Sequence, residues 1–316
     1  MTSHNVVYFK FNKYHSGVSW SLEDASPIIC SDTFFGGLIW SYIELYGLDE
    51  GKALLEKCVK GALRLSSLYP SRIGVVDTFP TPLFSLVKIS SFGGKKKKVY
   101  LVSRKVFEQL INGRELDPNE LEYHYDVLYS KDEGEDYVEI IRVSRYRNVK
   151  DRFTEFTTPW RMGYYVLGEG CGLRLHYQFN SNEVSEKKFS SAVRLLSENG
   201  LGGERTVGFG YSDEPPIFSK MILEEPNASK YFTTLSLYYP LSEEVKAYSN
   251  EGVSYELIER SGFRDYRIGG GRVARIRMFR EGSIFPLLNT SLGCMVDVGG
   301  VYRYGFAYPI KVRWSE

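Results

Sequence analysis

Five glycines fall within eleven residues in Gly200-Leu-Gly202-Gly203-Glu-Arg205-Thr206-Val-Gly208-Phe-Gly210. Crowded glycines let a backbone approach a ligand closely. Backbone N–H groups beside an Arg and a Thr hydroxyl suit a phosphate chain. A dinucleotide fingerprint is excluded, because G-x-G-x-x-G must follow a strand and open a helix. This loop closes a helix, and Arg205 stands where the third glycine belongs. A helix C-cap and turn account for Gly200 and one more glycine. The rest read as a phosphate contact.

Cations cluster elsewhere. Seven Arg lie between 260 and 280 (260, 264, 267, 272, 275, 277, 280), opposed there by Asp265 alone, with Gly269-Gly270-Gly271 among them. Arg142, Arg145, Arg147, Lys150 and Arg152 form a second patch, and Lys95–Lys98 a basic turn. Arg in such excess favours bidentate recognition of phosphate or carboxylate. Tyr146, Phe153, Phe156, Tyr266 and Phe279 interleave with the patches. Aromatic and guanidinium planes stack on unpaired bases, as in proteins that hold single-stranded RNA. The bland alternative is a solvated strand face paired with acidic neighbours.

Other chemistries find no support. There is no G-x-x-x-x-G-K-[ST], no H-E-x-x-H and no G-x-S-x-G. The four His (4, 15, 124, 176) lack metal-ligand spacing, and Cys30, Cys58, Cys171 and Cys294 are too far apart for a C-x-x-C site. No metal or cofactor is expected. Forty basic residues against 39 acidic leave a net charge of +1. A free-standing nonspecific RNA binder is usually more basic, so this balance suits one subunit of an assembly. No apolar run is long enough for a membrane helix. The N-terminus reads as a strand rather than a signal peptide, so a cytoplasmic protein is expected.

The elements that must carry these residues follow from periodicity. Residues 5–12 alternate as a strand. Ser31 or Asp32 is an N-cap candidate for a helix that stops at Gly47, and a second helix covers roughly 50–63. Pro80 and Pro82 demote 73–90 to edge strands or an extended connection. A strand and short helix end at Asn112-Gly113. Residues 115–139 hold ten Asp or Glu against Lys131 alone, the signature of a solvated loop face. Two strands occupy 161–180. Ser185 caps a helix whose apolar face is Phe189, Ala192, Val193 and Leu196. The 229–316 tail is strand-rich. This order predicts an α+β protein with two ferredoxin-like domains. The first spans 1–225, with an insertion at about 93–158 and the glycine loop at 200–210; the second spans 226–316.

The chain also resembles the RAMP proteins of CRISPR systems, in particular the fourth subunit of the Csm complex, the type III-A interference ribonucleoprotein. The resemblance rests on Ser31-Asp32-Thr33-Phe34, the segment around Pro80 and Pro82, the basic turn into VYLVSRKVFEQLINGREL, and Arg147-Asn148-Val-Lys-Asp151-Arg152-Phe-Thr154. It continues in the glycine loop, Glu281-Gly282-Ser283-Ile284-Phe285 and Val301-Tyr302-Arg303-Tyr304-Gly305-Phe306-Ala307. It implies two RRM-like RAMP domains with a thumb inserted in the first, and no enzymatic activity. The implied role in antiviral defence is to hold the 5′ repeat-derived handle of the crRNA. The implied partners are the large polymerase-like subunit and the backbone RAMP subunit of the Csm filament. The RNA-binding set then comprises Gly200, Gly202, Gly203, Arg205, Thr206, Gly208, Gly210, Arg147, Asn148, Arg152, Ser31 and Arg303. The competing readings are the equivalent type III-B subunit, a protein-interaction module without RNA affinity, and a repeat-processing RAMP endoribonuclease with His15 as general acid or base.

Overall fold

The computed structural model describes residues 1–17, 21–85, 98–180, 182–212, 214–249, 252–263 and 270–314. Lys95–Lys97, Arg264, Arg267, Tyr266 and Gly269 lie outside them.

The first half follows a strand–helix–strand–strand–helix–strand course. Strand β1 (Thr2–Phe9) leads through β2 (Lys13–Tyr14) to helices α1 (Ser31–Tyr46) and α2 (Leu48–Val59). Two short strands follow, β3 (Leu63–Leu65) and β4 (Tyr69–Arg72). After a long insertion come β11 (Cys171–Phe179), helix α4 (Glu186–Asn199) and β12 (Ile217–Leu223). The sheet order is β12-β1-β11, with β3 and β4 both beside β11, and every pairing is antiparallel. With β1, β3 together with β4, β11 and β12 counted as the four strands, the order is fourth-first-third-second, the ferredoxin-like arrangement. α1 and α4 pack together on one face. Their termini follow local rules: Gly47 stops α1 at φ 87°, and the Ser185 hydroxyl accepts from the Lys188 N–H at 3.4 Å.

The insertion is wider than 93–158. It starts with β5 (Val76–Pro80), β6 (Leu101–Ser103), helix α3 (Arg104–Ile111), β7 (Leu121–His124) and β8 (Val127–Ser130). These strands extend the first sheet in the order β4-β5-β6-β8-β7. β5 is paired on both sides and is no edge strand. Pro80 is tolerated because it ends the strand. The acidic stretch is likewise not a solvated loop. Leu121, Val127, Leu128, Tyr129 and Val138 between the carboxylates are all buried. The acids turn outward to cations, as in Arg72–Asp136 at 3.4 Å and the Lys105–Asp132 pair. The insertion ends in β9 (Ile140–Lys150) and β10 (Thr157–Leu167), a two-stranded arm whose base is joined by β2.

The second half comprises β13 (Tyr231–Thr234), helix α5 (Ser242–Tyr248), the hairpin β14 (Leu257–Phe263) and β15 (Arg272–Phe279), then β16 (Ile284–Pro286), β17 (Val296–Asp297), β18 (Tyr302–Arg303) and β19 (Pro309–Val312). β13 lies between β16 and β19, and Ser254 bridges to Ile284 beyond β16. Three positions of the same strand order return, and the isolated bridge at Ser254 marks the fourth. The second crossover helix does not return: among the described residues, 287–308 carries only β17 and β18. The α+β class stands. One continuous apolar core includes Val6, Leu173 and Leu196 from the first half and Ile284, Tyr304 and Ile310 from the second.

Candidate nucleic-acid interface

The glycine loop follows α4 as a helix-terminating turn and then packs on β2 and the residue after it. Gly203 N–H donates to the His15 carbonyl at 2.9 Å, and Gly210 N–H to the Lys13 carbonyl at 2.8 Å. Two glycines are required for that packing alone. At Gly210, φ is 69° and a Cβ would lie 1.9 Å from the Leu201 carbonyl oxygen; at Gly202, φ is 93° and a Cβ would lie 2.5 Å from the His15 oxygen. Much of the glycine crowding is thus explained within the fold, more than a cap and turn alone would require. Arg205, Thr206 and Val207 form one turn of 3-10 helix that stands exposed.

His15 is the keystone of this packing. It is buried, its Nδ1 lies 2.6 Å from the Gly163 carbonyl of β10, and its ring faces Gly203. It holds the loop against the base of the arm.

The arm itself is long. Its eleven paired positions, Ile140↔Leu167 to Lys150↔Thr157, extend about 35 Å at ~3.3 Å per residue. Its tip is an Asx turn in which Asp151 Oδ1 accepts from Phe153 N–H at 2.8 Å and Thr154 N–H at 2.7 Å. Phe153 is 97% exposed and Phe156 79%. Asn148 and Arg152 are exposed near this end. Three pairs before the turn, Arg147 pairs with Glu204 of the loop and its guanidinium sits 5.8 Å from the centre of the Trp160 ring. Tyr164 meets Phe209 edge-on at 5.0 Å, and the Lys13 ammonium lies 4.8 Å over the same ring.

Between the loop and the second half runs an open cleft of about 800 Å³. Gly200–Arg205 form one wall, α1 the floor through Gly36, Trp40 and Glu44, and β14–β15 with Tyr302 and Arg303 the other wall. At its base lies Asp32. Arg260 donates to both its oxygens (Nε to Oδ2 3.1 Å, Nη2 to Oδ1 2.8 Å), and Arg303 Nη1 donates to Oδ2 at 3.0 Å. Burial pushes the Asp32 pKa up, but the two guanidiniums outweigh it and hold the carboxyl below its ordinary value.

The structure therefore brings Gly200, Gly202, Gly203, Arg205, Thr206, Gly208, Gly210 and Arg147 together, with Arg303 across the cleft. Asn148 is exposed one residue beyond Arg147 on β9, and Arg152 is carried to the tip of the arm. Ser31 is not available to a ligand. It is fully buried, its N–H donates to Ser67 Oγ at 3.0 Å, and its Oγ accepts from Leu237 N–H at 3.2 Å. It is also not a helix cap, since Cys30 holds that position. Within the 260–280 cluster, three of the described arginines are engaged: Arg260 is buried on Asp32, Arg275 pairs with Glu259 at 3.1 Å and Arg280 with Glu256 at 3.5 Å. Lys98 pairs with Glu256 too. Sequence reading missed Asp32, Trp40, Trp160 and Glu204. Only Glu204 gave a local signal, as a carboxylate inside a loop read as phosphate-binding. Among the described residues no group of His, Cys, Asp and Glu could hold a metal, and no helix is long and apolar enough to cross a membrane.

Comparison with known proteins bears on the family and the fold. Residues 227–312 match a family model described as the CRISPR Csm4 C-terminal domain. The chain is 26% identical over 298 residues to the CRISPR system Cms protein Csm4 of Methanocaldococcus jannaschii, covering 80% of this chain and 77% of that one. It is also 26% identical over 324 residues to the Mycobacterium tuberculosis protein of the same name, covering 98% and 97%. In fold it is similar to a chain of the crystal structure of a Csm3–Csm4 subcomplex in the type III-A CRISPR-Cas interference complex, with TM-score 0.71 and 19% identity over 98% of this chain and 99% of that one. It is similar too to a chain of a Csm1–Csm4 cassette in complex with cA4, with TM-score 0.64 and 19% identity over the full length of both. The likeness to the fourth Csm subunit read from the sequence is borne out.

Proposed function

We propose that this chain is the Csm4-type RAMP subunit of a type III-A CRISPR interference complex, and that it holds the 5′ repeat-derived handle of crRNA without acting on it chemically. The observation that carries this reading is the juxtaposition of the glycine loop, the cleft and the arm. Arg205 and Thr206 stand out beside a cleft large enough for more than one nucleotide, while cations and exposed aromatics line the arm that rises from the same base. Phosphates take the guanidiniums and the loop; unstacked bases take the aromatic faces. His15 is spent on holding the loop, with its Nδ1 on the Gly163 carbonyl, and supports positioning rather than proton transfer. The relatives' assemblies suggest two partners, a Csm1-type large subunit and a Csm3-type backbone subunit.

Labelled RNA carrying a 5′ repeat handle, with a scrambled handle as control, tests this by gel shift at two salt concentrations. The handle should shift at lower protein concentration than the scramble and remain uncut. Arg205→Ala removes one charge-assisted contact and should weaken binding by about 1.5–3 kcal/mol. It should also flatten the log K against log salt slope by about 0.7, as for one lost phosphate contact on a single strand. Equal binding of handle and scramble would sink the handle assignment, and cleavage would sink the non-catalytic one.

A further inference from the structure

Glu204 is the anomaly of the glycine loop. It lies between Gly203 and Arg205 with φ 60° and ψ 28°, in the left-handed region where a glycine is the unstrained choice. Its carboxylate leaves the loop without net charge beside Arg205, where phosphate binding favours excess positive charge. Yet the carboxylate is engaged: it reaches the arm and pairs with Arg147, both side chains about three-quarters buried. No other loop side chain bridges to the arm by charge among the described residues.

We propose that Glu204 is an internal stand-in for an RNA phosphate. With no RNA bound, the pair latches the arm onto the glycine loop and keeps Arg147 oriented. When RNA enters, a backbone phosphate takes the guanidinium, the carboxylate swings out to solvent, and the latch opens. The exchange is chemically even, because carboxylate and phosphate both accept paired N–H bonds from the planar fork of Arg. Glu204 therefore sets affinity by competition, and through the latch it couples the arm to the occupancy of the loop. This inference rests on the RNA-binding reading in its second half; the latch itself does not.

Two measurements separate the parts. The first needs no RNA. Spin labels at Thr158→Cys on β10 and Lys187→Cys on α4, in a chain with Cys294→Ser, report the distance from arm to loop-bearing helix; the other three cysteines are buried. The parent should show one narrow distribution, and Glu204→Gln a broader or longer one. Identical distributions overturn the latch. The second measures handle binding of the unlabelled chain. Glu204→Gln should bind about two- to fivefold tighter, the scale of an ion pair that keeps partial access to solvent, and Arg147→Ala should bind more weakly. In the Arg147→Ala background, Glu204→Gln should gain nothing, which gives the coupling of a double-mutant cycle. Unchanged or weaker binding by Glu204→Gln while the parent binds overturns the stand-in role alone. Absence of binding by the parent overturns the RNA reading and the stand-in together, and leaves the label distances to decide the latch.

Discussion

At the scale of single residues, Asp32 carries most. One carboxylate on the first turn of α1 receives both Arg260 and Arg303 from the second half. Removing one partner of a buried pair leaves charge unpaired in a poorly solvated place. Asp32→Asn should therefore cost about 3–5 kcal/mol in denaturant unfolding. The sign with pH follows from the lowered pKa. The stabilisation is present above the ordinary carboxylate value of 3.8 and is lost as pH falls through the lower folded value. The Asn variant should lose that acid-side component. An unchanged unfolding midpoint would show that the arginines find other partners.

At the scale of elements, the arm and α1 make opposite demands on their side chains. The arm is held at its base and bare at its tip, where Phe153 and Phe156 contact nothing that their burial would reward. Phe153→Ser with Phe156→Ser should leave thermal stability nearly unchanged. If the tip stacks on bases, the same change should weaken handle binding by about 1–3 kcal/mol per stacked base. Loss of stability instead would place the rings in the fold. α1 contains Gly36, exposed on the cleft floor, where a Cβ would meet nothing within 4 Å. Gly36→Ala should stabilise the protein by about 1 kcal/mol, the helix-propensity difference, as read by denaturant unfolding.

At the scale of the molecule, the two halves share polar joints as well as a core. Ser67 N–H donates to the Leu235 carbonyl at 2.8 Å, the Tyr69 hydroxyl to the same carbonyl at 2.7 Å, and Arg64 to the carbonyls of Leu292 and Ala307 at 3.1 Å each. Beneath this joint His176 is fully buried among His4, Phe79 and Tyr308, and neither ring nitrogen has a hydrogen-bond partner among the described residues. Burial, with Arg174 and then His4 adding to it, pushes its pKa well below 6.5. An unfolded His binds a proton below about pH 6.5 and the folded one does not, so stability falls as pH drops through that value. His176→Gln should make the fall in Tm between about pH 7 and pH 5 shallower. An unaltered slope would assign the acid sensitivity elsewhere.

What the sequence by itself determined was local. The strand of residues 5–12, the Gly47 stop, the Ser185 cap and the apolar face of α4 follow from backbone preferences and periodicity within a few residues. The α+β class follows from their order, and the resemblance followed from motifs spread along the chain. The acidic stretch misled because counting charges hid Leu121, Val127 and Leu128, whose burial outweighs the outward carboxylates. Only the tertiary structure decided the site. Ser31 looked like a cap and joins Leu237; Gly202 and Gly210 looked like ligand contacts and make room for His15 and Leu201; Arg260 and Arg303 looked like open cations and close on Asp32. Most of these partners lie far apart in the chain. Which polar group satisfies which is set by where packing brings them and by the cost of leaving either buried alone, and neither is written in local spacing.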